Sequence, residues 1–385
     1  MNDSNPTAQL AATMNRLYAF SLTTTSGGNL SIRDDIGGLW ITPGGIDKSR
    51  LNPESIIHID EEGNVEGSFN PSVETAFHKG IYEVRDDVKA VMHAHAPASS
   101  AFCIHNSVPN LKLIPQVYNM TGPAILSGYA TPGTLWLSDN VVKKAKESFN
   151  TILLDNHGAI TTGVSLLNAL QNYEGLDVCA KAQILATSLG LSPVEPGDDV
   201  LKIVSATATS TYDTFVPSNS YLKEREELCG MARRAYLRRL FTSNLGSLSL
   251  RISKDEFLIT PFGGDRFELG VDDLVLVKQG AVEEGKVPDL WTRIHREVFL
   301  KNDEVNSVMT AMPASAMAYA ITDASYNSRS LTEGYVVLRD LQKLSFLEGM
   351  ETPDSIAEII TLNSPVLLIS SGGLLAVGKR MLEAV

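Results

Sequence analysis

Short apolar runs and amphipathic segments alternate along the chain, and they predict alternating strands and helices. Residues 166–190 carry apolar side chains at helical spacing and end at a glycine, which predicts an amphipathic helix. The runs SIR and LWITP predict a short hairpin, and Asn70 followed by Pro71 predicts the start of a helix. Apolar runs that lead into HAH and TILLD predict two further strands. We therefore expect an α/β layered fold with helices packed on a mainly antiparallel central sheet.

The same pattern occurs twice. Three segments of the first half recur in order in the second: SGGNLSIRDDIGGLWITPGG (26–45) in NLGSLSLRISKDEFLITPFGG (244–264), PSVETAFHKGIY (71–82) in PDLWTRIHREVF (288–299), and TILLDNHGAITTG (151–163) in PVLLISSGGLLAVG (365–378). The order is kept and the offset between the copies barely changes, so the sequence indicates an internal duplication of one domain.

A polar stretch separates the two copies. SPVEPGDDVLKIVSATATSTYDTFVPSNS is rich in Pro, Ser, Thr and Asp, and it shows no helical periodicity that would place it in a domain. An amphipathic segment at 221–240 then predicts the opening helix of the second copy. We predict a first domain at 1–195, a linker at 196–220 and a second domain at 221–385.

Composition narrows the class of protein. A chain of 385 residues is long enough for two hydrophobic cores, and no apolar run approaches the roughly 20 residues of a membrane span. The formal charge of −13 argues against nucleic acid or an anionic membrane as a partner. Cys103, Cys179 and Cys229 are too scattered for a disulfide framework, and the N-terminus shows no secretory pattern. We expect a cytoplasmic protein.

Two of the seven histidines, His93 and His95, stand two residues apart at a strand end. Alternate residues of a strand share a face, so both imidazoles can converge on one divalent ion. His157 also follows an apolar strand, before a glycine expected to let the backbone turn sharply. An HxH pair alone is equally compatible with a packed or surface pair; the third histidine favours a metal site.

Glu74 is the candidate acid and base. It is expected in the first turn of the predicted helix, where the helix dipole stabilises a carboxylate, and by local sequence alone that simple role competes with a catalytic one. His78 has a counterpart, His295, in the second copy, which favours a structural role for both. The loops SGGNLS and ITPGG either offer backbone N–H groups to a phosphate or are ordinary hairpin turns.

Six ordered motifs together resemble the class II aldolase/adducin family: GGNLSIR, ITPGG, PSVE with a histidine four residues on, HAHAP, GYATPGT and NHG. The resemblance spans nearly all of the first copy. That family includes zinc-dependent fuculose-phosphate and rhamnulose-phosphate aldolases, ribulose-5-phosphate 4-epimerase, and related dehydratases and decarboxylases. The resemblance implies two tandem class II aldolase-like domains.

The resemblance also implies roles for individual residues. The implied metal ligands are His93, His95 and His157, the implied proton-transfer groups are Glu74 and Tyr118, and the implied phosphate-binding residues are Asn29, Thr42, Gly44 and Ser72. The ion, which we expect to be Zn²⁺, would stabilise the enediolate formed when a carbon–carbon bond of a ketose breaks. In the family, a tyrosine from a neighbouring domain helps to protonate the leaving oxygen, and this is the role implied for Tyr118.

The sequence departs from the family pattern at two places. Val73 stands where the family often has a second serine, which weakens the case for a phosphorylated substrate. The second copy has lost the whole candidate site: Trp291, Thr310, Met312 and Gly372 stand where the first copy has Glu74, His93, His95 and His157. The second copy therefore cannot perform the metal chemistry by itself.

We accordingly predict a metal-dependent aldehyde-lyase, an aldolase acting on a small ketose or ketose phosphate, with Glu74 moving the proton. A 4-epimerase, dehydratase or decarboxylase of the same family would use the same residues. The competing class is a non-enzymatic, adducin-like interaction module. Two chains would supply the four domains of the family's usual ring, so we expect a homodimer, which a monomeric mass in light scattering would contradict.

Overall fold

The computed structural model of the protein describes residues 5–216 and 220–385. Its backbone groups into two units: the described residues up to Leu111 with Met120–Lys181, and Lys112–Asn119 with Ala182–Val385. None of the helices within the described ranges is long and apolar enough to cross a membrane.

The first unit is built on an eight-stranded sheet. Its strands are β1 (Asn29–Arg33), β2 (Leu39–Ile41), β3 (Ile57–Ile59), β4 (Val65–Glu66), β5 (Ala90–Ala94), β6 (Ala124–Leu126), β7 (Thr151–Leu153) and β8 (Ala159–Gly163). The helices along this part of the chain are α1 (Pro6–Ala19), α2 (Thr75–Val84), α3 (Pro97–Ile104), α4 (Pro115–Thr121), α5 (Leu135–Lys146) and α6 (Leu166–Ser188). The strand order is β4-β3-β2-β1-β5-β8-β7-β6, with only β6 and β7 parallel.

Successive side chains of a strand point to opposite faces of the sheet, and this alternation determines which residues form the core of this unit. Ile41 and Ile57 point to the same face of the sheet, where they meet Phe77 and Ile81 of α2. Phe77 and Ile81 are four residues apart, so they lie on one face of the helix. Burial of each such side chain contributes about 1.5–3 kcal/mol to folding. The core therefore fixes α2 against the sheet, and with it the segment that precedes the helix.

The helix predicted from Pro71 begins four residues later, at Thr75. Pro71 instead forms an isolated β-bridge with Pro43, which holds it in extended backbone. The Ser72 carbonyl then accepts the backbone N–H of Thr75 at 3.1 Å. Glu74 is consequently the N-cap residue, not a residue of the first turn, and its side chain makes no capping hydrogen bond.

The second unit contains a nine-stranded sheet. Its strands are β9 (Thr214–Phe215), β10 (Ser247–Ser253), β11 (Glu256–Ile259), β12 (Val275–Lys278), β13 (Ala281–Glu283), β14 (Ser307–Ala311), β15 (Gln342–Leu344), β16 (Val366–Ile369) and β17 (Gly373–Gly378). The helices are α7 (Asp198–Ala208), α8 (Leu222–Leu237), α9 (Thr292–Lys301), α10 (Ala314–Ala320), α11 (Thr332–Leu338), α12 (Phe346–Glu351), α13 (Pro353–Ile359) and α14 (Met381–Ala384). The order is β15-β16-β17-β14-β10-β11-β12-β13-β9, again mainly antiparallel as the sequence predicts.

The stretch 196–220, expected to be a linker without helical order, contains α7 and β9. Val200 and Val204 of α7 are buried in the hydrophobic core of the second unit, and β9 pairs in parallel with β13 at the sheet edge. Val200, Ile203 and Val204 have helical spacing, which the surrounding Ser, Thr and Asp obscured. That part of the expectation is wrong, while the domain boundaries themselves stay a prediction.

Candidate functional site

Three histidines of the first unit converge, as the sequence predicts. His93 lies on β5, His95 follows the end of that strand, and His157 lies in the turn between β7 and β8. Each offers one ring nitrogen, and these nitrogens lie within 4.8 Å of one another. The antiparallel pairing of β5 with β8 places the two segments side by side, because His93 pairs with Ile160 and Ala94 with Ala159.

Two glycines provide the space for His95. A Cβ on Gly27 would lie 2.5 Å from His95 Nδ1, and a Cβ on Gly158 would lie 2.5 Å from His95 Cδ2. Any side chain at either position would displace the imidazole. The sharp turn assigned to Gly158 is made instead by Asn156, which has a φ of 58°. Gly158 is therefore required for space and not for its backbone conformation.

The imidazoles suit a cation. His93 Nδ1 lies 3.1 Å from the carbonyl oxygen of Ala159, and because a carbonyl only accepts, Nδ1 carries the proton and Nε2 is left unprotonated. Burial lowers the pKa of all three histidines, that of His95 to about 4 and that of His93 well below its ordinary value, and neighbouring histidines add to both of these shifts. The lowered pKa values favour the neutral rings that a divalent ion requires of its ligands.

Glu74 faces the same cluster. Its Oε2 atom accepts the Asn29 side-chain amide at 2.7 Å and lies 3.4 Å from His93 Nε2. Its Oε1 atom lies 3.5 Å from His157 Nε2 and has no hydrogen-bond partner among the described residues, although it is buried. A buried carboxylate oxygen without a partner is costly unless a ligand pairs with it. The three histidines with this adjoining carboxylate fit a divalent ion.

A buried chain of hydrogen bonds holds Asn29. His78 Nε2 donates to Asn29 Oδ1 at 2.5 Å, because an amide oxygen only accepts. His78 Nδ1 therefore accepts the Ser31 hydroxyl at 2.7 Å, and the Ser31 oxygen accepts Tyr82 OH at 2.6 Å. Burial lowers the pKa of His78 to about 3, so the ring stays neutral. His78 thus has the structural role that the sequence favours, and it acts on Glu74 through Asn29.

The predicted phosphate-binding residues lie around this chain. Asn29 Nδ2 donates to Ser72 Oγ at 2.9 Å, and the Thr42 hydroxyl accepts the Leu30 N–H at 3.0 Å. The backbone N–H of Gly44 donates to the Asn70 carbonyl, so it is not free for a phosphate. Gly44 allows a close approach instead, since a Cβ there would lie 3.2 Å from Ser72 Cα.

The structure groups the last of the predicted site residues with the second unit. Tyr118 lies on α4 within Lys112–Asn119, which groups with the second unit, and the Lys112 ammonium lies 5.8 Å from its ring centre. Its role as an acid stays a prediction.

Sequence reasoning missed Lys48, a fully buried lysine whose ammonium donates to the Pro43 carbonyl at 2.5 Å. The repeat could have revealed it, because Arg266 stands at the matching position.

The second unit has packing where the first unit has polar groups. Trp291, which replaces Glu74, is 1% exposed, and its ring centre lies 5.6 Å from that of Phe346. A Cβ on Gly372 would lie 2.9 Å from Trp291 Cη2, so the loss of His157 leaves space for the indole. Thr310 and Met312, in place of His93 and His95, are also buried.

Comparison with known proteins identifies the family that has this fold and this site. Residues 8–184 and 226–385 match the family model described as Class II Aldolase and Adducin N-terminal domain, and the chain belongs to this family. The two matched segments correspond to the two copies.

Several curated relatives each align with about half of this chain. The 3-oxo-tetronate 4-phosphate decarboxylase of Haemophilus influenzae is 34% identical over 43% of this chain and 80% of its own length. The 5-methylthioribulose-1-phosphate/5-deoxyribulose-1-phosphate aldolase of Rhodospirillum rubrum is 34% identical over 50% and 86%. The L-fuculose phosphate aldolase of Escherichia coli K12 is 32% identical over 51% and 90%. A solved L-fuculose 1-phosphate aldolase structure is 32% identical, covering 53% of this chain and 96% of its own, with a TM-score of 0.48.

Proposed function

We propose that this protein is a metal-dependent lyase that cleaves a carbon–carbon bond of a small ketose phosphate, with the first copy as the catalytic one. The observation that carries the proposal is the convergence of Glu74 with His93, His95 and His157 in one buried cluster. The names of the aldolase relatives, which act on sugar phosphates, support the substrate class.

His93, His95 and His157 would hold the divalent ion, and we propose zinc because three imidazoles and an open position are typical of catalytic zinc sites. When bound, such an ion polarises a carbonyl oxygen and stabilises the negative charge that develops beside it. The lowered pKa values of the three rings favour this role, since protonated imidazoles would repel a cation.

Glu74 would move the proton. Its Oε2 is fixed by Asn29, whereas Oε1 has no partner among the described residues and is available to a substrate carbon or hydroxyl. A positioned carboxylate of this kind contributes typically 10²–10⁴-fold to a rate. Because His78 holds Asn29 Oδ1, the Asn29 amide stays directed at Glu74 Oε2 and orients the carboxylate.

Ser72 and Asn29 would contact the phosphate. The Ser72 oxygen already accepts from Asn29 Nδ2 and from the Glu74 backbone N–H at 3.3 Å, so its own proton is free to donate to an anion. The Ser72 hydroxyl thus lies beside Glu74. A phosphate bound to it would hold the reacting carbons of the substrate near the carboxylate.

A second candidate reaction is decarboxylation of a 3-oxo acid phosphate, favoured by the relative from Haemophilus influenzae. Both reactions break a bond from the carbon next to the carbonyl group, the α-carbon, to the carbon beyond it. Both leave negative charge on the α-carbon. The products differ, because cleavage of a ketose releases an aldehyde and decarboxylation releases carbon dioxide. Assays for both products separate the two candidates.

The test is metal analysis by mass spectrometry on protein purified without a metal-affinity tag, followed by a screen of ketose phosphates and 3-oxo acid phosphates. We expect about one divalent ion per chain, lost in the His93→Ala, His95→Ala variant together with all turnover. The matched control is Thr310→Ala, Met312→Ala in the second copy, which should keep metal and activity. An unchanged protein that takes up no ion from excess zinc would contradict the proposal and favour an interaction module.

A further inference from the structure

Lys48 is a buried cation that the proposed chemistry does not yet use. Its side chain is 1% exposed, its ammonium donates to the Pro43 carbonyl, and no carboxylate among the described residues lies within ion-pair distance of it. Burial lowers its pKa to about 8, partly offset by the charge of Glu74. A buried ammonium with one neutral partner is costly, so its presence calls for an anion.

The second copy shows what such an anion does at this place. An offset of 218 residues carries Lys48 onto Arg266 and Pro43 onto Pro261. Arg266 is fully buried, and its Nη1 donates to the Pro261 carbonyl at 2.8 Å, as Lys48 does to Pro43. Its Nη2, however, also donates to Asp289 Oδ2 at 2.9 Å. The cation of the second copy is thus paired within the chain.

Asp289 stands where the first copy has Ser72. Its carboxylate accepts the Trp291 backbone N–H at 3.2 Å, just as the Ser72 hydroxyl accepts that of Glu74. The two side chains therefore occupy the same position ahead of the helix. One carries the negative charge that pairs with the cation, and the other is neutral.

We propose that Lys48 supplies the positive charge that binds the phosphate group of the substrate in the first copy, and that Asp289 takes the place of this anion in the second. The inference rests on the proposed function for the identity of the substrate. It makes Lys48 a specificity-determining residue that favours anionic substrates over neutral sugars. It also makes the second copy a site closed by its own carboxylate.

Calorimetric titration with inorganic phosphate tests the proposal without turnover. We expect Lys48→Met to weaken phosphate binding about tenfold or more, which corresponds to the loss of one charge-assisted hydrogen bond. Lys48→Arg should bind within a few-fold of the unchanged protein, and Lys146→Met, an exposed lysine on α5, should bind equally well. Equal affinity in Lys48→Met overturns the proposal, as does a lack of millimolar phosphate binding by the unchanged protein.

Phosphate bound to the metal must be separated from phosphate bound at Lys48. The same titration in the His93→Ala, His95→Ala background removes the metal ligands and should preserve the loss caused by Lys48→Met. If the effect of Lys48→Met vanishes in that background, the phosphate sits on the metal and the proposal fails.

A double-mutant cycle tests whether Lys48 reaches the position of Ser72. Ser72→Asp copies the carboxylate of the second copy, so it should abolish phosphate binding and pair with Lys48. In the Ser72→Asp background, Lys48→Met should then lower the folding equilibrium constant by a factor at least ten times larger than in the unchanged protein. Additive effects in urea unfolding would show that the two positions do not meet.

Turnover distinguishes failure of this inference from failure of the proposed function. Phosphate binding that depends on Lys48, without cleavage of any ketose phosphate, leaves the inference intact and removes the lyase. Cleavage with KM and kcat unchanged in Lys48→Met keeps the lyase and removes the inference. If both hold, Lys48→Met should raise KM for the phosphorylated substrate about tenfold and change kcat less.

Discussion

The two copies share a framework and differ in what it holds. In the first, Asn29 of β1 pairs with His93 of β5, and in the second, Ser247 of β10 pairs with Thr310 of β14 in the same register. The sheet forms with either set of side chains. The fold therefore does not require the histidine cluster, which has to be explained by what it binds.

The chemistry of the buried atoms that lack partners supports this conclusion. The first copy buries Glu74 Oε1 and His157 Nδ1 without hydrogen-bond partners among the described residues, and each such atom costs roughly 1–3 kcal/mol. The second copy has removed those groups and placed a large indole beside Phe346. The second copy also leaves buried atoms without partners among the described residues, such as Trp291 Nε1 and Thr310 Oγ1, but these belong to neutral groups. The copies therefore differ in the chemistry of such atoms, since the first places a carboxylate oxygen beside imidazoles, where a bound cation can pair with it.

The largest effect that separates the copies is expected at Glu74. Glu74→Gln keeps the size and the contact with Asn29 but removes the group that accepts a proton, so cleavage should fall about 10²–10⁴-fold while the metal stays bound. Turnover and metal content of the same preparation are the measurements. Glu83→Gln, an exposed carboxylate on α2, is the matched control and should leave both unchanged. A variant with nearly full activity would show that another group moves the proton.

Substitution at the equivalent position of the second copy should lower the stability of the fold instead of the activity. Trp291→Ala removes one of the largest fully buried side chains and should lower the free energy of unfolding by about 3–5 kcal/mol, since a cavity remains. Glu74→Ala should cost clearly less, because the carboxylate has one oxygen unpaired. Urea unfolding of both variants gives the comparison, and the metal content of Trp291→Ala should stay that of the unchanged protein. Equal losses in the free energy of unfolding at the two positions would contradict the proposal that Trp291 serves packing and Glu74 serves catalysis.

Much of this comparison could be predicted from the sequence, and the reasons for the misses are physical. The repeat, the hairpin of β1 and β2 and the histidine cluster follow from local pattern, because strand ends fix where the imidazoles go. The bond between His78 and Asn29 joins residues 49 apart, which no local pattern encodes. The start of α2 was misplaced because the pairing of Pro71 with Pro43 is a tertiary contact that outweighs the preference for proline at a helix start.

Lys48 shows a different limit. A lysine in a polar loop is expected at the surface, and only its contact with the Pro43 carbonyl shows that it is buried. Comparison of the copies contains the missing signal, since a basic residue, Arg266, stands at the matching position of the second copy. Internal repeats thus carry information about buried charges that propensity and periodicity do not.

The smallest effect that we expect concerns a histidine that both copies retain. His295 Nδ1 bonds to Ser249 Oγ at 2.8 Å, as His78 does to Ser31, but its Nε2 has no partner among the described residues because Ser247 replaces Asn29. Burial lowers the pKa of His295 to about 3, from an ordinary value near 6.5. Between these values the unfolded chain binds more protons than the folded one, so stability falls as the pH falls through this window.

The contribution of His295 should approach about 1.4 kcal/mol per pH unit well below pH 6.5 and amount to about 1.6 kcal/mol between pH 6.5 and 5. Urea unfolding midpoints followed from pH 7 to 5 should fall less steeply in His295→Gln than in the unchanged protein. His105→Gln, which alters an exposed histidine, should keep the original slope. Parallel pH profiles for the unchanged protein and His295→Gln would mean that this ring gains a proton without unfolding. Its burial would then serve packing and would not hold the ring neutral.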